Sequence, residues 1–328
     1  MNQFFAASTF RTILQIIVLS FFEVMSFLTF AQSTAVDWLN KNARELTTDS
    51  LSADQELSFL SEEIKNKTII GLGEASHGTQ EFYFQKRRII KYLVSRENFR
   101  IIAFESPVNY IEPVNRYVQT GQGNLKDILG TMALYNTSEI FKLFEWLKMY
   151  NETQSGTEKV KVVGFDHEGY WNDPFTRDEF MAGDFIKAQD SARQKSILWS
   201  HNLHLAKDTT MAQYKAMGYH LRKHYGAHYY AVGFDTYSGS VSVLNNGQFE
   251  SHDFQGKENT LSATFSKVKF PAFFIDFREA PKPMINTANT ITNLLSNWQE
   301  PKPLPIIPGL DFDAMIFIRN TTASRMNE

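Results

Sequence analysis

Residues 69–105 read IIGLGEASHGTQEFYFQKRRIIKYLVSRENFRIIAFE, and this stretch decides the fold prediction. A short apolar run (Thr68–Leu72) stops at a Gly-Glu-Ala-Ser-His-Gly turn. A segment with helical periodicity follows, and a second apolar run stops at Glu105. Ligands of open α/β sheets bind at the carboxyl edge of the strands. We therefore expect Glu74, His77 and Glu105 to lie together at such an edge.

Near-continuous apolar runs predict strands that are covered on both faces, as in a parallel sheet. The predicted strands are Thr68–Leu72, Arg100–Phe104, Val160–Phe165, Ser196–Trp199, Tyr229–Phe234, Ala272–Ile275 and Ala314–Ile318. The helices predicted between them are Ala53–Asn66, Glu81–Ser95, Ser138–Tyr150, Met211–Tyr225 and Ile285–Trp298, and Asn245–Asn259 is predicted to be a loop or hairpin. This alternation predicts one domain, a three-layer α/β sandwich with a mostly parallel central sheet.

Composition excludes several classes of function. The chain has 328 residues, is 43% hydrophobic and carries a net charge of −3, so nothing electrostatic favours nucleic acid as a partner. It has no cysteine, which excludes disulfides, thiolate metal sites and a cysteine nucleophile. The sequence contains no Gly-x-Ser-x-Gly elbow, Walker A motif or dinucleotide fingerprint. The sequence does not predict the oligomeric state.

The amino-terminal segment is predicted to be a targeting signal. Arg11 precedes the mostly apolar Thr12–Phe30, and Ala31 before Gln32 resembles a cleavage site. Glu23 argues against a membrane-spanning helix, since a charge at mid-membrane costs roughly 3 kcal/mol. We expect residues 1–31 to be a signal peptide and residues 32–328 a secreted or periplasmic protein without stable membrane insertion. An uncleaved anchor is the alternative, and a buried helix is the third.

His77 is the main catalytic candidate, because a neutral imidazole is the usual general base near pH 7. Glu74, three residues earlier, would orient the imidazole or a water molecule. Gly73 and Gly78 would let the backbone turn sharply and approach a ligand. The alternative is a helix-capping turn in which His77 is merely exposed.

A second candidate group is the pair His201 and His204 in the segment WSHNLH, which follows a predicted strand. Either ring would bind an oxyanion, act as an acid or ligate a metal. The alternative is a capped turn with one satisfied histidine. Together with Glu74, His77 and Glu105 the pair would also suit zinc or manganese, but the spacing differs from HExxH. Metal binding is therefore the second hypothesis.

The sequence contains two further groups of charged residues. Asp166, His167 and Glu168 follow a predicted strand, and a solvated loop would give the same letters. Lys86 and Arg87 lie on the helix after the first motif. We interpret them as part of a solvated face, although the helix would bring Lys86 toward the site.

These motifs together resemble the erythromycin esterase family over about Ile69 to Arg319. The matching motifs are Gly73-Glu74-Ala75-Ser76-His77-Gly78-Thr79 with Glu81-Phe82-Tyr83, Asn98-Phe99 through Glu105, Arg177-Asp178 with Met181, Trp199 with His201, Asn202 and His204, Tyr229–Phe234 with Gly239, and Phe312-Asp313-Ala314. The segment before Arg177 departs from the family, because only Trp171–Thr176 stand where relatives carry a long helical insertion.

The resemblance implies hydrolysis of a small-molecule ester, which in known members is a macrolide lactone. It implies that His77 activates water without an obligatory metal, with Glu74, Glu105 and His201 as the other catalytic residues. The residues expected to contact substrate are His204, Lys86, Arg87 and Asp166. A Lys at position 86 in place of Arg would lack the bidentate fork.

Two alternatives to this function remain from the sequence. One is a metal-dependent hydrolase that uses the same residues with a divalent ion. The other is a non-enzymatic protein that binds haem or another small ligand, with His77, His201 or His204 as an axial ligand. The shortened insertion adds the possibility of an open site for a smaller ester.

Overall fold

The computed structural model describes residues 34–48, 54–285 and 287–327. The signal peptide predicted over residues 1–31 lies outside these ranges. Within them, no helix is both long and apolar enough to cross a membrane.

The strands are β1 (Arg44–Glu45), β2 (Ile69–Leu72), β3 (Phe99–Pro107), β4 (Lys161–Asp166), β5 (Lys195–Trp199), β6 (Tyr229–Asn245), β7 (Gln248–Gln255), β8 (Ala272–Asp276), β9 (Asn289–Ile291), β10 (Leu304–Ile306) and β11 (Ala314–Thr321). The helices are α1 (residues 34–42), α2 (Leu60–Glu63), α3 (Gln80–Arg96), α4 (Val108–Thr120), α5 (Leu125–Leu129), α6 (Ser138–Glu152), α7 (Pro174–Ala192), α8 (Asn202–Leu205), α9 (Met217–Tyr225), α10 (Leu261–Phe265), α11 (Lys282–Ile285) and α12 (Pro308–Asp311).

A mixed sheet forms the centre of the described chain, with the strand order β1-β8-β11-β6-β2-β5-β3-β4 and β7 paired to β6. The six strands from β11 to β4 are parallel to their neighbours. The pairings of β8 with β1 and β11, and of β7 with β6, are antiparallel. The prediction of a mostly parallel central sheet is confirmed.

Helices cover both faces of this sheet, which gives the three predicted layers. On one face, Phe82 of α3 and Phe144 of α6 join sheet residues such as Ile102 in one apolar cluster. On the other face, α7, α9 and α10 form a second apolar cluster with the opposite side chains of the same strands. Because both faces of the central strands are buried, the strands contain near-continuous apolar runs, such as Ile69–Leu72 in β2.

All seven predicted strands are present, but several extend beyond the predicted limits. The strand predicted to stop at Glu105 continues to Pro107, and its register with β4 shifts between Phe104 and Pro107. This irregularity leaves Glu105 out of the ladder with β4, so its side chain reaches the site from within a strand.

The predicted helices agree with the structure less well than the predicted strands do. Glu81–Ser95 and Ser138–Tyr150 correspond to α3 and α6. The predicted helix Ile285–Trp298 is wrong: residues 289–291 form β9, paired with β10, because the Thr- and Ile-containing segment suits extended backbone. Only the second half of Met211–Tyr225 is helical, and the described part of Ala53–Asn66 consists of two short helical turns.

Candidate active site

The candidate active site lies at the carboxyl edge of four neighbouring parallel strands, β2, β5, β3 and β4. The loop after β2 carries Glu74 and His77, and His201 follows β5. Glu105 lies near the end of β3, and Asp166 ends β4. The sheet thus brings together residues as distant in the sequence as Glu74 and His201.

Glu74 lies between a histidine and a lysine, and its side chain is fully buried. Oε1 is 2.7 Å from His77 Nδ1, and Oε2 accepts a hydrogen bond of 2.6 Å from Lys86 Nζ. Lys86 is also fully buried, with Nζ 4.5 Å from the centroid of the Trp199 ring. Burial lowers the pKa of Lys86 to about 8, although the charge of Glu74 opposes this effect.

His77 keeps 17% of its side chain exposed, so one ring nitrogen remains accessible. Nδ1 donates to Glu74 because an ionised carboxylate only accepts, which leaves Nε2 of the neutral ring as an acceptor. Burial by itself lowers the pKa of His77, but the hydrogen bond and charge of Glu74, with the charge of Glu105, raise it above 6.5. This arrangement gives a histidine base oriented by a buried acid.

The two glycines of the first motif, Gly73 and Gly78, leave room for neighbouring segments to pack closely. Neither has a positive φ, so the turn does not depend on left-handed backbone at these two positions. A Cβ on Gly78 would overlap the backbone carbonyl of Ser242, and one on Gly73 would overlap the amide of Asn202. That amide clamps both backbone polar groups of Phe234, at 2.7 and 3.0 Å. The glycines therefore let β6 and the loop after β5 pack directly against the His77 loop.

Glu105 accepts hydrogen bonds on both oxygens. Oε2 receives Ser200 Oγ at 2.7 Å and the backbone N–H of His201 at 2.9 Å. Oε1 lies 3.1 Å from Arg177 Nη2 and 3.2 Å from His204 Nε2. Burial would raise the pKa of Glu105, but the charges of His204, His77 and Arg177 hold it well below its usual range. Glu105 is thus an ionised anchor for the loop that carries His201.

His204 lies between two carboxylates and is almost fully buried. Its Nδ1 is 2.8 Å from Asp178 Oδ1, and its Nε2 is 3.2 Å from Glu105 Oε1. Burial lowers the pKa of His204, but these two carboxylates raise it to about 10. The imidazolium donates from both nitrogens, so the 3.5 Å approach of Arg177 Nη1 to Nε2 is a contact between two donors. His204 therefore positions Glu105.

His201 differs from His204 in charge. Burial and the nearby His77 lower the pKa of His201 to about 3, so the ring is neutral. Nδ1 accepts the backbone N–H of Leu203 at 3.2 Å, which places the hydrogen on Nε2. Nε2 is buried without a hydrogen bond of normal geometry, although the backbone of Ala75 is near enough to raise the pKa. The His201 and His77 ring centroids are 5.4 Å apart.

Asp166 and Arg177 extend this polar network outward. Arg177 Nη2 lies 2.7 Å from Asp166 Oδ2, and Nε lies 3.3 Å from Asp166 Oδ1. The same Oδ2 accepts the indole N–H of Trp171 at 2.8 Å. Asp166 is buried, so its carboxylate pairs with Arg177 and has little contact with solvent.

Arg87 is not brought to this cluster. Its guanidinium lies 5.7 Å from the centroid of the Phe84 ring, and burial lowers its pKa, although the charge of Glu139 opposes this effect. Lys86, by contrast, is buried within the cluster, because the helix turns it toward Glu74. The substrate contact predicted for Arg87 stays a prediction.

Three members of the network were not identified as site residues from the sequence. They are Arg177, Asp178 and Ser200. The first two belong to the Arg-Asp-x-x-Met motif, which was the available signal. Asp178 also accepts the backbone N–H of Met217 at 2.8 Å and the hydroxyl of Tyr214 at 3.0 Å.

A metal site was the second hypothesis from the sequence. Within residues 34–48, 54–285 and 287–327, no three His, Asp or Glu side chains are arranged to hold a metal ion. Both nitrogens of His204 and both oxygens of Glu74 and Glu105 are already engaged in the contacts above.

Sequence comparison identifies the family to which the chain belongs. A family model described as Erythromycin esterase matches residues 94–173 and 167–321. "Putative hydrolase YbfO" of Bacillus subtilis (strain 168) is 28% identical over 167 residues, covering 50% of this chain and 35% of that protein. Escherichia coli "Erythromycin esterase type I" is 30% identical over 130 residues, covering 37% and 30%. The matched regions thus span about a third of these curated relatives.

Structural comparison gives the same fold. A crystal structure described as a succinoglycan biosynthesis protein has a TM-score of 0.81 at 20% identity, covering 90% of this chain and 99% of that one. A mutant of the erythromycin esterase EreC in its open conformation has a TM-score of 0.67 at 14% identity, covering 85% and 97%. At these identities the likeness shows the fold alone.

Proposed function

Since the chain belongs to the erythromycin esterase family, we propose that it is a hydrolase that cleaves carboxylic esters with a water molecule activated by His77. Macrolide lactones are the first substrates to test, because the related Escherichia coli protein is named an erythromycin esterase. The YbfO relative is also named as a hydrolase.

The observation that carries the proposal is the 2.7 Å contact between His77 Nδ1 and Glu74 Oε1. It orients the ring and leaves Nε2 to accept a proton. The family match begins at residue 94, so Glu74 and His77 lie outside it. Their proposed roles rest on this geometry and on the motif they form.

In the proposed reaction, His77 Nε2 takes one proton from water while the water oxygen bonds to the ester carbonyl carbon. The carbonyl oxygen becomes an oxyanion, to which the Nε2–H of His201 donates. The tetrahedral intermediate collapses with cleavage of the bond to the alcohol oxygen. His77 then returns its proton to that oxygen, so acid and alcohol leave with one water added.

Glu105 has a supporting role in this mechanism. It accepts the backbone N–H of His201 at 2.9 Å and so fixes the donor ring against the His77 loop. Its low pKa keeps it ionised throughout the working range. His204 and Arg177 contact the other carboxylate oxygen of Glu105, Oε1.

The test is incubation of the purified protein with macrolides and simpler esters, followed by mass spectrometry for a gain of one water. His77→Ala should lower the rate by roughly 10²- to 10⁴-fold, as expected for loss of a general base. His252→Ala is the matched control, because His252 stacks on Trp298 at 4.3 Å, outside the network described above. A folded His77→Ala protein with full activity would contradict the assignment.

We propose that this chemistry needs no metal, and two additional measurements separate the alternatives. Loss of activity with a chelator, restored by one divalent ion, would favour the metal-dependent hydrolase. A Soret band on addition of haem, with no hydrolysis of any ester, would favour a binding protein.

A further inference from the structure

Three large aromatic side chains are exposed beside the candidate site. Trp171, Phe175 and Phe180 are 54%, 68% and 50% exposed. They lie within ten residues of one another, on the connection after β4 and the first turns of α7. We call these three residues the aromatic platform. They lie in the segment where the sequence lacks most of the long helical insertion that the resemblance to the family predicts.

Two members of the platform are anchored to the polar network. The indole N–H of Trp171 donates to Asp166 Oδ2, the same oxygen that pairs with Arg177. The Phe175 ring packs edge-on against Tyr214, at 5.6 Å between centroids. The Tyr214 hydroxyl donates to Asp178, the partner of His204. Both rings are therefore connected to the site through one intervening residue.

The third member is fixed in a similar way. The Phe180 ring lies 5.1 Å from that of Tyr170, whose hydroxyl donates to Asp184 at 2.7 Å. Rings held by neighbours lose little conformational entropy when a ligand covers them. Trp171 and Phe175, each joined to the polar network through one residue, therefore offer rigid apolar surface beside the site.

The segment that carries the platform is negatively charged. Four exposed carboxylates lie within residues 167–184, and the only Lys or Arg in that stretch is Arg177. Arg177 is already paired with Glu105 and Asp166. The four residues are Glu168, Asp173, Glu179 and Asp184. Within the residues that the structure describes, none of them forms an ion pair.

Aromatic faces and carboxylates that lack an ion-pair partner attract the same kind of ligand. A cation over an indole or phenyl face is stabilised by the ring quadrupole, and a negative rim raises the local concentration of cations. A neutral ester would gain only from the apolar contact, and an anionic ester would be repelled. The combination selects an apolar molecule with a positive charge.

We propose that the aromatic platform binds the apolar body of an ester that carries a protonated amine or quaternary ammonium group, and so determines the substrate class. This inference rests on the proposed hydrolase function. The platform residues are substrate-binding residues, and they take no part in proton transfer at His77.

The test compares benzoylcholine with its uncharged isostere 3,3-dimethylbutyl benzoate, and with acetylcholine, which lacks the ring. We expect kcat/KM to be highest for benzoylcholine. Trp171→Ala and Phe175→Ala should each raise its KM by roughly 2- to 30-fold, the range of one cation–π contact, with kcat nearly unchanged. Trp171→Phe should retain most of the affinity. Phe249→Ala, an exposed aromatic on β7, is the control.

Equilibrium binding of benzoylcholine to the His77→Ala protein separates this inference from the proposed function. If the platform substitutions weaken this binding but the unmodified protein hydrolyses no ester, the platform is supported and the hydrolase function is overturned. Hydrolysis of charged and neutral esters at equal rates, unaffected by the folded platform variants, would overturn the platform alone. A dimer that Trp171→Ala converts to monomer would also overturn it, because a second copy would then cover the rings.

Discussion

The Lys86 ammonium lies 2.6 Å from Glu74 Oε2, and neither side chain is exposed to solvent. The rings of Trp199 and Phe234 lie 4.5 and 5.7 Å from Nζ and enclose it. Since the other oxygen of Glu74 holds His77, the orientation of the proposed base depends on a lysine behind it. A lysine contributes one point charge here, where an arginine would contribute a planar fork.

Lys86→Met should lower both stability and activity. It leaves the buried Glu74 carboxylate without its cation, and breaking a buried pair from one side typically costs about 3–5 kcal/mol. Urea denaturation measures this loss, and steady-state kinetics with the best ester measure the accompanying fall in kcat. Arg87→Met is the matched control, because Arg87 lies next to Lys86 on α3 but outside the cluster.

A double variant sharpens that prediction. Lys86→Met combined with Glu74→Gln removes both charges and should recover much of the lost stability, but none of the activity. Equal stability losses for the single and double variants would show that packing, not charge, is what Lys86 supplies.

The pH dependence of kcat/KM should be bell-shaped. Activity should rise as His77 loses its proton, at a pKa above the ordinary 6.5 because of Glu74. It should fall as Lys86 loses its charge near pH 8, since Glu74 then lacks its cation. Lys86→Arg should shift the alkaline limb upward, because a guanidinium stays protonated. Rates measured from pH 5 to 10 test this, and an alkaline limb unchanged in Lys86→Arg would assign it to another group.

The His204 pair should make stability depend on pH. Its pKa rises from 6.5 in the unfolded chain to about 10 in the folded protein. The stabilisation is therefore fully present below pH 6.5 and is lost as the pH rises through 10. Unfolding free energies of the protein and His204→Asn should converge over that window. His228→Asn, at an exposed histidine whose ring contacts a backbone carbonyl, should show no comparable convergence, and a constant difference for His204→Asn would contradict the assignment.

Gly78 should tolerate no side chain. Its added Cβ would overlap the Ser242 carbonyl, so Gly78→Ala must displace β6 or the His77 loop. We expect a loss of about 2 kcal/mol or more, within the upper part of the usual range for single substitutions. Gly183→Ala on α7 meets nothing within 4 Å and should be neutral or stabilising by up to about 1 kcal/mol. Chemical denaturation of the two variants makes the comparison.

The sequence predicted the sheet and the residues at its edge because both follow from short-range patterns. Apolar runs that end at charged residues located Glu74, Glu105 and His201. The pairing of Lys86 with Glu74 was harder to predict, since a basic residue within a run of three usually faces solvent. The Glu105–Arg177 pair joins residues 72 positions apart, and no local pattern specifies such a contact. Ile285–Trp298 was misassigned because its weak helical periodicity competes with the extended preference of its Thr and Ile residues.

His201 should act as a neutral hydrogen-bond donor, and side-chain replacements can identify the atom involved. Its pKa near 3 excludes a charged imidazole at neutral pH, and Leu203 occupies Nδ1, so Nε2–H is the donor. A Gln amide reaches roughly the position of Nε2, whereas an Asn amide reaches only that of Nδ1. His201→Asn should therefore lower kcat by about 10²- to 10³-fold, the usual cost of one oxyanion donor, with KM nearly unchanged. His201→Gln should lose distinctly less. Equal losses in both variants, with folding intact, would instead indicate that the ring supports the His77 loop by packing.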